Sequence, residues 1–389
     1  MKNLIFTLLA LTLSLPIFAQ EEEYKSKERD DYWKDVHFKE FEPLEKQKIL
    51  DFKSTNYQLV EIKDFDPYDS KRYFTPAEDS IMQQFSRQHF FSKPELIGKI
   101  DRVKILKYEK NQDKEAFIYW NGVFEDIFFG ETGIWLAYKE SKTTDWKYYY
   151  TGIVQKQPLY VKWYSKIPLM LENNKFQIEA SLMQQTAPFS HPGPGAEYQL
   201  VKDGLAVVFD LSVISKDSDN DGLTDIVEEK LCTNPFNKDT DNDGIPDNID
   251  LNPRFNLKRT DKTLLYEAFL NNDTPWKSFV RVPKYIKDPH KKSANDSTET
   301  ILIVTDDPEL QAVEPTKQRV IFMTDKEYEQ SKGLFKTGLN RMTLGPLFKV
   351  DNKKNTYIIS TSINTGGEEY LIIRTKNGWK IKQYSSWIS

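Results

Sequence analysis

The stretch "DSDNDGLTDIVEEKLCTNPFNKDTDNDGIPDNID", residues 217–250, contains one acidic pattern twice, 22 positions apart. Residues 216–250 hold 11 Asp and Glu against 3 Lys, a net charge of −8, whereas the whole chain carries −5. The rest of the chain therefore sums to +3, so the acidity is local and needs a local explanation. Five positions recur in register: Asp217, Asp219, Asp221, Gly222 and Asp225 match Asp239, Asp241, Asp243, Gly244 and Asp247.

The first copy, residues 217–228, satisfies every specified position of the calcium-loop pattern D-x-[DN]-x-[DN]-G-x₅-E. Calcium prefers many oxygen ligands in a flexible shell, and the Gly permits the sharp turn that such a loop needs. The predicted ligands are three alternating carboxylates, one backbone carbonyl, a carboxylate acting directly or through water, and a closing Glu: Asp217, Asp219, Asp221, the carbonyl of Leu223, Asp225 and Glu228.

The second copy, residues 239–250, repeats this arrangement but closes with Asp instead of Glu. The Asp side chain is one methylene shorter, so bidentate closure is harder and we expect the first loop to bind more tightly. A solvated acidic linker would explain the charge, but neither the 22-residue register nor the repeated Gly. The predicted ligands here are Asp239, Asp241, Asp243, the carbonyl of Ile245, Asp247 and Asp250.

The two copies resemble bacterial thrombospondin type 3 repeats, whose EF-hand-like calcium loops follow the pattern D-x-D-x-D-G-x-x-D in tandem. "DTDNDGIPDNID" matches that pattern closely, and "TNPFNKDTDNDG" resembles the usual spacer. The resemblance implies binding of about two calcium ions by the ten acidic side chains named above, and it covers about 35 of the 389 residues. Two departures are Cys232, where such repeats often have Gly, and the small number of loops.

The N-terminal residues of the chain suggest export. Residues 1–19 have a positive start, an apolar run and a small final residue, as in a secretory signal cleaved after Ala19. No later segment is long and apolar enough to cross a bilayer, so we expect a secreted protein with no transmembrane segment in its mature form. Cys232 is the single cysteine, which excludes an internal disulfide, and we expect it to be a small buried side chain.

The length of 389 residues predicts two or three domains, and the pattern is mainly β with an α+β element. Hairpins are predicted at 103–122 and 133–153, a short helix at 261–270, and a terminal β-meander with a turn at Asn377-Gly378. We therefore expect two β-rich domains joined by a tandem calcium-binding segment, in this order: signal 1–19, charged N-terminal arm 20–55, β-rich domain 56–215, calcium-binding repeat 216–253, and α+β domain 254–389.

Other functions are weighed against calcium binding. The modest net charge argues against nucleic acid as a partner. No catalytic motif surrounds the four histidines, and Asp306-Asp307 fits a turn or helix cap, so the chain favours a non-enzymatic role, with a secreted hydrolase as the alternative. Aromatic stripes fit a β core or, as a second alternative, a glycan- or cell-surface-binding face: Trp135, Tyr138, Trp146, Tyr148, Tyr150, Trp163 and Tyr164.

Overall fold

Strands dominate the computed structural model, which confirms the mainly β fold class predicted from the sequence. The structure describes residues 24–35, 42–66, 103–111, 114–121, 133–140, 146–153, 158–162, 165–187, 197–271, 300–316, 319–332, 341–363, 366–376 and 378–388. The expected signal at 1–19 lies outside these ranges. No helix of the described ranges is long and apolar enough to span a membrane.

The elements are numbered in chain order within the described residues. The strands are β1 (Gln58–Glu61), β2 (Val103–Asn111), β3 (Lys114–Asn121), β4 (Gly133–Glu140), β5 (Lys147–Tyr150), β6 (Leu159–Val161), β7 (Lys175–Ala187), β8 (Glu197–Asp210), β9 (Thr300–Val304), β10 (Arg319–Met323), β11 (Arg341–Leu344), β12 (Phe348–Lys349), β13 (Thr356–Ile363), β14 (Gly366–Thr375) and β15 (Gly378–Ile388). The helices are α1 (Lys27–Asp35), α2 (Lys46–Leu50), α3 (Leu211–Ile214), α4 (Asp225–Leu231), α5 (Asp261–Leu270), α6 (Pro308–Gln311) and α7 (Asp325–Lys332).

The first half of the chain forms two antiparallel four-stranded sheets. One has the order β1-β8-β7-β6 and the other is the meander β2-β3-β4-β5. Strands β2 and β3 pair as the predicted hairpin, and so do β4 and β5. Alternation of apolar and polar residues around short polar turns is a local signal, which is why the sequence predicts these pairs well.

The second half forms one mixed sheet of order β10-β9-β11-β13-β14-β15, with β12 added beside β13. The last three long strands are the predicted meander, although Gly378 opens β15 and the turn precedes it. Strands β9, β10 and β11 instead pair in parallel, which the sequence did not predict. Both β9 and β10 are buried at every position, because apolar runs without alternation suit parallel strands covered on both faces.

The acidic segment, residues 216–253, packs against the protein core through its first part, whereas residues 242–246 are exposed. Leu223, Ile226, Val227 and Leu231 are at most 3 % exposed and belong to a large apolar cluster with strands of the first half. Side chains of β9 and β10 belong to the same cluster. The helix that follows the first loop therefore belongs to one apolar cluster with strands from both halves of the chain.

The N-terminal arm contacts both halves as well. Tyr24 packs edge-to-face on Tyr384 of β15, with ring centroids 5.6 Å apart, and its N–H donates to the Tyr384 hydroxyl at 3.2 Å. The carbonyl of Lys25 accepts from Asp351 N–H at 2.8 Å. Further along, Ile49 of α2 is fully buried in the cluster of the first half, whereas its neighbour Leu50 is 46 % exposed. The predicted charged N-terminal arm is thus anchored at two places.

The contrast between Ile49 and Leu50 gives a matched test of that anchoring. We expect Ile49→Ala to cost about 2–5 kcal/mol, because it removes a buried side chain and leaves a cavity. Leu50→Ala, on the same helix, should cost about 0.5 kcal/mol. Urea unfolding of the two variants, followed by circular dichroism, measures both shifts. Equal shifts in the unfolding midpoint would show that α2 is not anchored through Ile49.

Candidate metal centre

The two acidic loops share one backbone conformation. Asn220 and Asn242, at the fourth position of each loop, adopt left-handed φ angles of 62° and 60°. Gly222 and Gly244, at the sixth position, have φ angles of 105° and 96°. Asn tolerates this region and Gly adopts it without steric cost, whereas other side chains do so rarely. The 22-residue sequence repeat is therefore also a repeat of the backbone turn.

Each loop brings its first three carboxylates together. In both triplets the three side chains offer one oxygen each, and these oxygens lie within 4.8 Å of one another. The sequence predicted this convergence from the alternating spacing. The two triplets are Asp217, Asp219 and Asp221 in the first loop, and Asp239, Asp241 and Asp243 in the second.

In the first loop, backbone N–H groups donate to both oxygens of Asp217 and to one oxygen each of Asp219 and Asp221. Asp217 Oδ2 accepts from Gly222 at 3.1 Å, Asp219 Oδ1 from Asp221 at 3.1 Å, and Asp221 Oδ1 from Leu223 at 2.6 Å. The Oδ2 atoms of Asp219 and Asp221 are buried and have no hydrogen-bond partner. Asp219 and Asp221 thus each use one oxygen to shape the loop and keep a second, buried oxygen to which a ligand could bind.

Glu228 closes the first loop from helix α4. The whole residue is buried, and its Oε2 has no hydrogen-bond partner, while Oε1 accepts only a long bond from Thr233 Oγ1 at 3.4 Å. Burial, followed by the charges of Asp219, Asp221 and Asp247, raises the pKa of the Glu228 carboxyl to about 9. Leaving a buried carboxylate without a compensating cation or donor is costly, so this oxygen marks where a cation would fit.

The second loop repeats the hydrogen bonds of the first. Asp239 Oδ2 accepts from Gly244 at 2.9 Å, Asp241 Oδ1 from Asp243 at 3.1 Å, and Asp243 Oδ1 from Ile245 at 2.7 Å. Burial and then the neighbouring charge of Asp243 raise the pKa of the Asp241 carboxyl to about 6. The two loops therefore present a similar arrangement of carboxylates, and carboxyl pKa values are raised in both.

Asp250 takes the closing place of the second loop. The residue is 6 % exposed; its Oδ1 accepts from Asn252 N–H at 2.8 Å, and its Oδ2 is buried without a partner. Burial raises the pKa of this carboxyl, and the charge of Asp243 adds to the shift. A single turn carries Asp250, since its N–H donates to Pro246 C=O at 3.0 Å, whereas Glu228 lies on a full helix.

The carboxylates at the ninth position of each loop form hydrogen bonds within the loop. Asp225 accepts from the N–H and hydroxyl of Ser218, both at 2.8 Å, and from Lys216 Nζ at 2.7 Å. Asp247 accepts from the N–H of Thr240 at 2.9 Å and from its hydroxyl at 2.6 Å. Both side chains thus close the loop on its second residue, and ligation by them stays a prediction.

The predicted carbonyl ligands lie in differently buried surroundings. The side chain of Leu223 is buried, whereas that of Ile245 is 43 % exposed. The Asp residues that precede them by two positions accept from their N–H groups, which fixes both peptide units beside the carboxylate triplets. The structure is compatible with the predicted use of both carbonyls, which remains a prediction.

Cys232 ends helix α4 in a left-handed conformation, with φ 59°. A Gly usually occupies such a helix end because it lacks a Cβ, so the departure from the repeat pattern still preserves the turn. Cys232 is half-buried, and the expectation of a buried thiol was therefore too strong. The next residue, Thr233, donates its N–H to the Glu228 carbonyl at 3.0 Å, so this carbonyl in the last turn of the helix has a hydrogen-bond donor.

The two loops contact each other directly. Asn248 of the second loop donates from Nδ2 to the carbonyl of Asp221 at 2.6 Å, and Lys238 donates from Nζ to the carbonyl of Asn220 at 3.3 Å. The second loop is also held by two buried residues that the sequence did not single out. These are Asn252 and Arg319, and the only sequence signal for Arg319 was a charge at the start of the apolar run "RVIFM".

The remaining sequence candidates fall into the core or outside the described residues. Asp307 accepts from Glu309 N–H and caps helix α6, which confirms the helix-cap interpretation. The histidines His37, His89, His191 and His290 lie outside the described ranges. Among the aromatic stripes, four residues are buried and Trp146 packs against the core, as in the core interpretation, whereas Trp163 and Tyr164 are not described: the four are Trp135, Tyr138, Tyr148 and Tyr150.

Comparisons of the chain with protein-family models, with curated proteins and with solved structures find no match. Any functional conclusion therefore depends on the side chains of the two acidic loops and on what surrounds them.

Proposed function

We propose that this chain is a secreted calcium-binding protein in which about two calcium ions order the acidic segment between two β-rich halves. The role of the ions is structural. The observation that carries the proposal is the fully buried Glu228 Oε2, which has no hydrogen-bond donor and lies within the electrostatic range of Asp219 and Asp221. Buried charges in proteins are paired or coordinate metals, and a divalent cation would pair with this one.

The donor set favours calcium over other divalent ions. All available donors are oxygens, from carboxylates and backbone carbonyls, whereas zinc sites are built mainly from Cys and His. Magnesium usually keeps several waters and uses one or two carboxylates, fewer than each loop offers. The residues that would hold the first ion are Asp217, Asp219, Asp221, Glu228 and the Leu223 carbonyl; those for the second are Asp239, Asp241, Asp243, Asp250 and the Ile245 carbonyl.

Two calcium ions would supply four positive charges to a segment whose net charge is −8. An ion that binds only the folded loops stabilises the fold, because its binding free energy adds to the free energy of unfolding. The raised pKa values of Glu228, Asp241 and Asp250 show that the ionised carboxylates oppose the compact geometry when no cation offsets them. Calcium would therefore act on the segment's order rather than on a reaction.

The compartment follows from the affinity that such loops have. Extracellular calcium modules bind with dissociation constants of about 10⁻⁴–10⁻³ M, which only a calcium-rich compartment saturates. The signal-like residues 1–19 and the resemblance of residues 217–250 to thrombospondin type 3 repeats support the same proposal. The described aromatic stripes belong to the core, which favours the core interpretation over a glycan-binding face.

We expect the first loop to bind calcium more tightly than the second. Glu228 reaches bidentate geometry more easily than Asp250 and is carried by a helix rather than by a single turn. Calorimetric titration of the metal-free protein should show about two sites, the tighter of which is lost in Glu228→Gln. Glu229→Gln, the neighbouring half-buried carboxylate that pairs with Asn56, is the matched control and should keep both sites.

Two results would contradict this scheme in different ways. A larger loss of affinity in Asp250→Asn than in Glu228→Gln would reverse the ranking of the loops while leaving the function intact. A wild-type protein that binds no calcium at millimolar concentration would overturn the proposed function itself.

Calcium should also protect the acidic segment from trypsin. Lys230 is 3 % exposed, and its ammonium lies 4.8 Å from the ring centroid of Tyr150, so cleavage there requires the helix to open. We expect a chelator to raise cleavage at Lys216, Lys230 and Lys238 by about tenfold or more, since cleavage follows the population of the open form. Both β-rich halves should survive as fragments. An identical digestion pattern with and without chelator would exclude ordering of the segment by calcium.

A further inference from the structure

Arg319 is a fully buried arginine at the start of β10 that reaches the closing turn of the second loop. Its Nε donates to the carbonyl of Asp250 at 3.0 Å, and its Nη2 donates to the carbonyls of Asn248 at 3.0 Å and Asp247 at 3.2 Å. Arginine is seldom fully buried unless its donors are bonded, and its planar fork suits several acceptors at once. Three backbone carbonyls of this turn therefore accept hydrogen bonds from one planar guanidinium group.

The mixed sheet holds the residues just after this turn as well. Val320 N–H donates to the Leu251 carbonyl at 2.8 Å. Asn252 Nδ2 donates to the carbonyls of Gln311 and Val313, both at 2.9 Å, and all these groups belong to the second half of the chain. The second half of the chain therefore holds both the turn that carries Asp250 and the two residues that follow it.

The group that this turn presents is itself unusual. Asp250 is 6 % exposed, and its Oδ2 has no hydrogen-bond partner, although Oδ1 is held by Asn252 N–H at 2.8 Å. A carboxylate oxygen that is buried and unpartnered within an acidic loop is suited to bind a metal ion.

We propose that Arg319 is a positioning residue of the second calcium loop, and that the mixed sheet, through this guanidinium, sets the place of the Asp250 carboxylate. This inference rests on the proposed calcium-binding function. The first loop is positioned differently, because Glu228 lies on helix α4, which packs through Ile226, Val227 and Leu231. Residues that orient ligands without touching the metal commonly change metal affinity by about 10–100-fold when they are replaced.

The test is calorimetric titration of the metal-free full chain with calcium chloride. Arg319→Met keeps most of the side-chain volume and removes the donors, and we expect the affinity of the second loop to fall by about 10–100-fold. The affinity of the first loop should stay within about twofold. Repeating the substitution in two backgrounds assigns the site: the loss should persist in Glu228→Gln and largely vanish in Asp250→Asn, because coupled residues are not additive.

A control separates positioning from general stability. Arg254 is another partly buried arginine of the second half; it donates to the Phe322 carbonyl and pairs with Glu327 at 2.7 Å, without a described contact to either loop. Arg254→Met should lower the thermal midpoint and leave both calcium affinities within about twofold. Arg319→Lys retains a cation without the planar fork and should give an intermediate loss at the second loop alone. If Arg319→Met does not fold, the calcium affinities of Arg319→Lys test the inference in its place.

The outcomes are distinct. Selective weakening of the second loop by Arg319→Met or Arg319→Lys supports the inference. Unchanged affinity at both loops, or a loss of equal size in the Asp250→Asn background, overturns it while the calcium function stands. Equal weakening of both loops by Arg319→Met and Arg254→Met assigns Arg319 a purely structural role and also overturns it. A wild-type chain without calcium binding overturns the proposed function, and this inference with it.

Discussion

The structure depends on one conflict, which is the burial of helix α4. Ile226, Val227 and Leu231 must leave water to fill the cluster shared by strands of both halves. The same helix carries Glu228, so packing the apolar residues removes a carboxylate from solvent. Burial of an acid disfavours its charged form, and here other carboxylates add repulsion. Under the proposed function a bound cation would offset this charge, so ion binding and packing of helix α4 would be one linked equilibrium.

The two loops share a sequence pattern but take their rigidity from different parts of the fold. The first is carried by its own helix, whereas the second is gripped by Arg319 from the mixed sheet. Asn248 joins the two systems, because its carbonyl accepts from Arg319 while its amide donates to the carbonyl of Asp221. Three residues thus connect the mixed sheet to the first loop.

Local features of the fold could be predicted from the sequence, and long-range ones could not. The hairpins, the meander and helix α5 follow from alternation, turn residues and caps within about ten residues. The parallel pairing of β9 with β10 and the burial of helix α4 depend on contacts between residues far apart in the sequence, which local sequence patterns do not reveal. The ligand pattern predicted the two triplets because alternation alone makes them converge. Arg319 escaped because a single charge in an apolar strand has no motif.

The ninth-position carboxylates explain how the loops keep their shape. Asp225 and Asp247 each bind the N–H and the hydroxyl of the second loop residue, Ser218 or Thr240. These bonds come from the chain's own donors and set the shape of each turn. The remaining cost is electrostatic, carried by buried oxygens that lack a donor, such as Glu228 Oε2. Under the proposed function, hydrogen bonds would set the geometry of the loops and the ions would neutralise their charge.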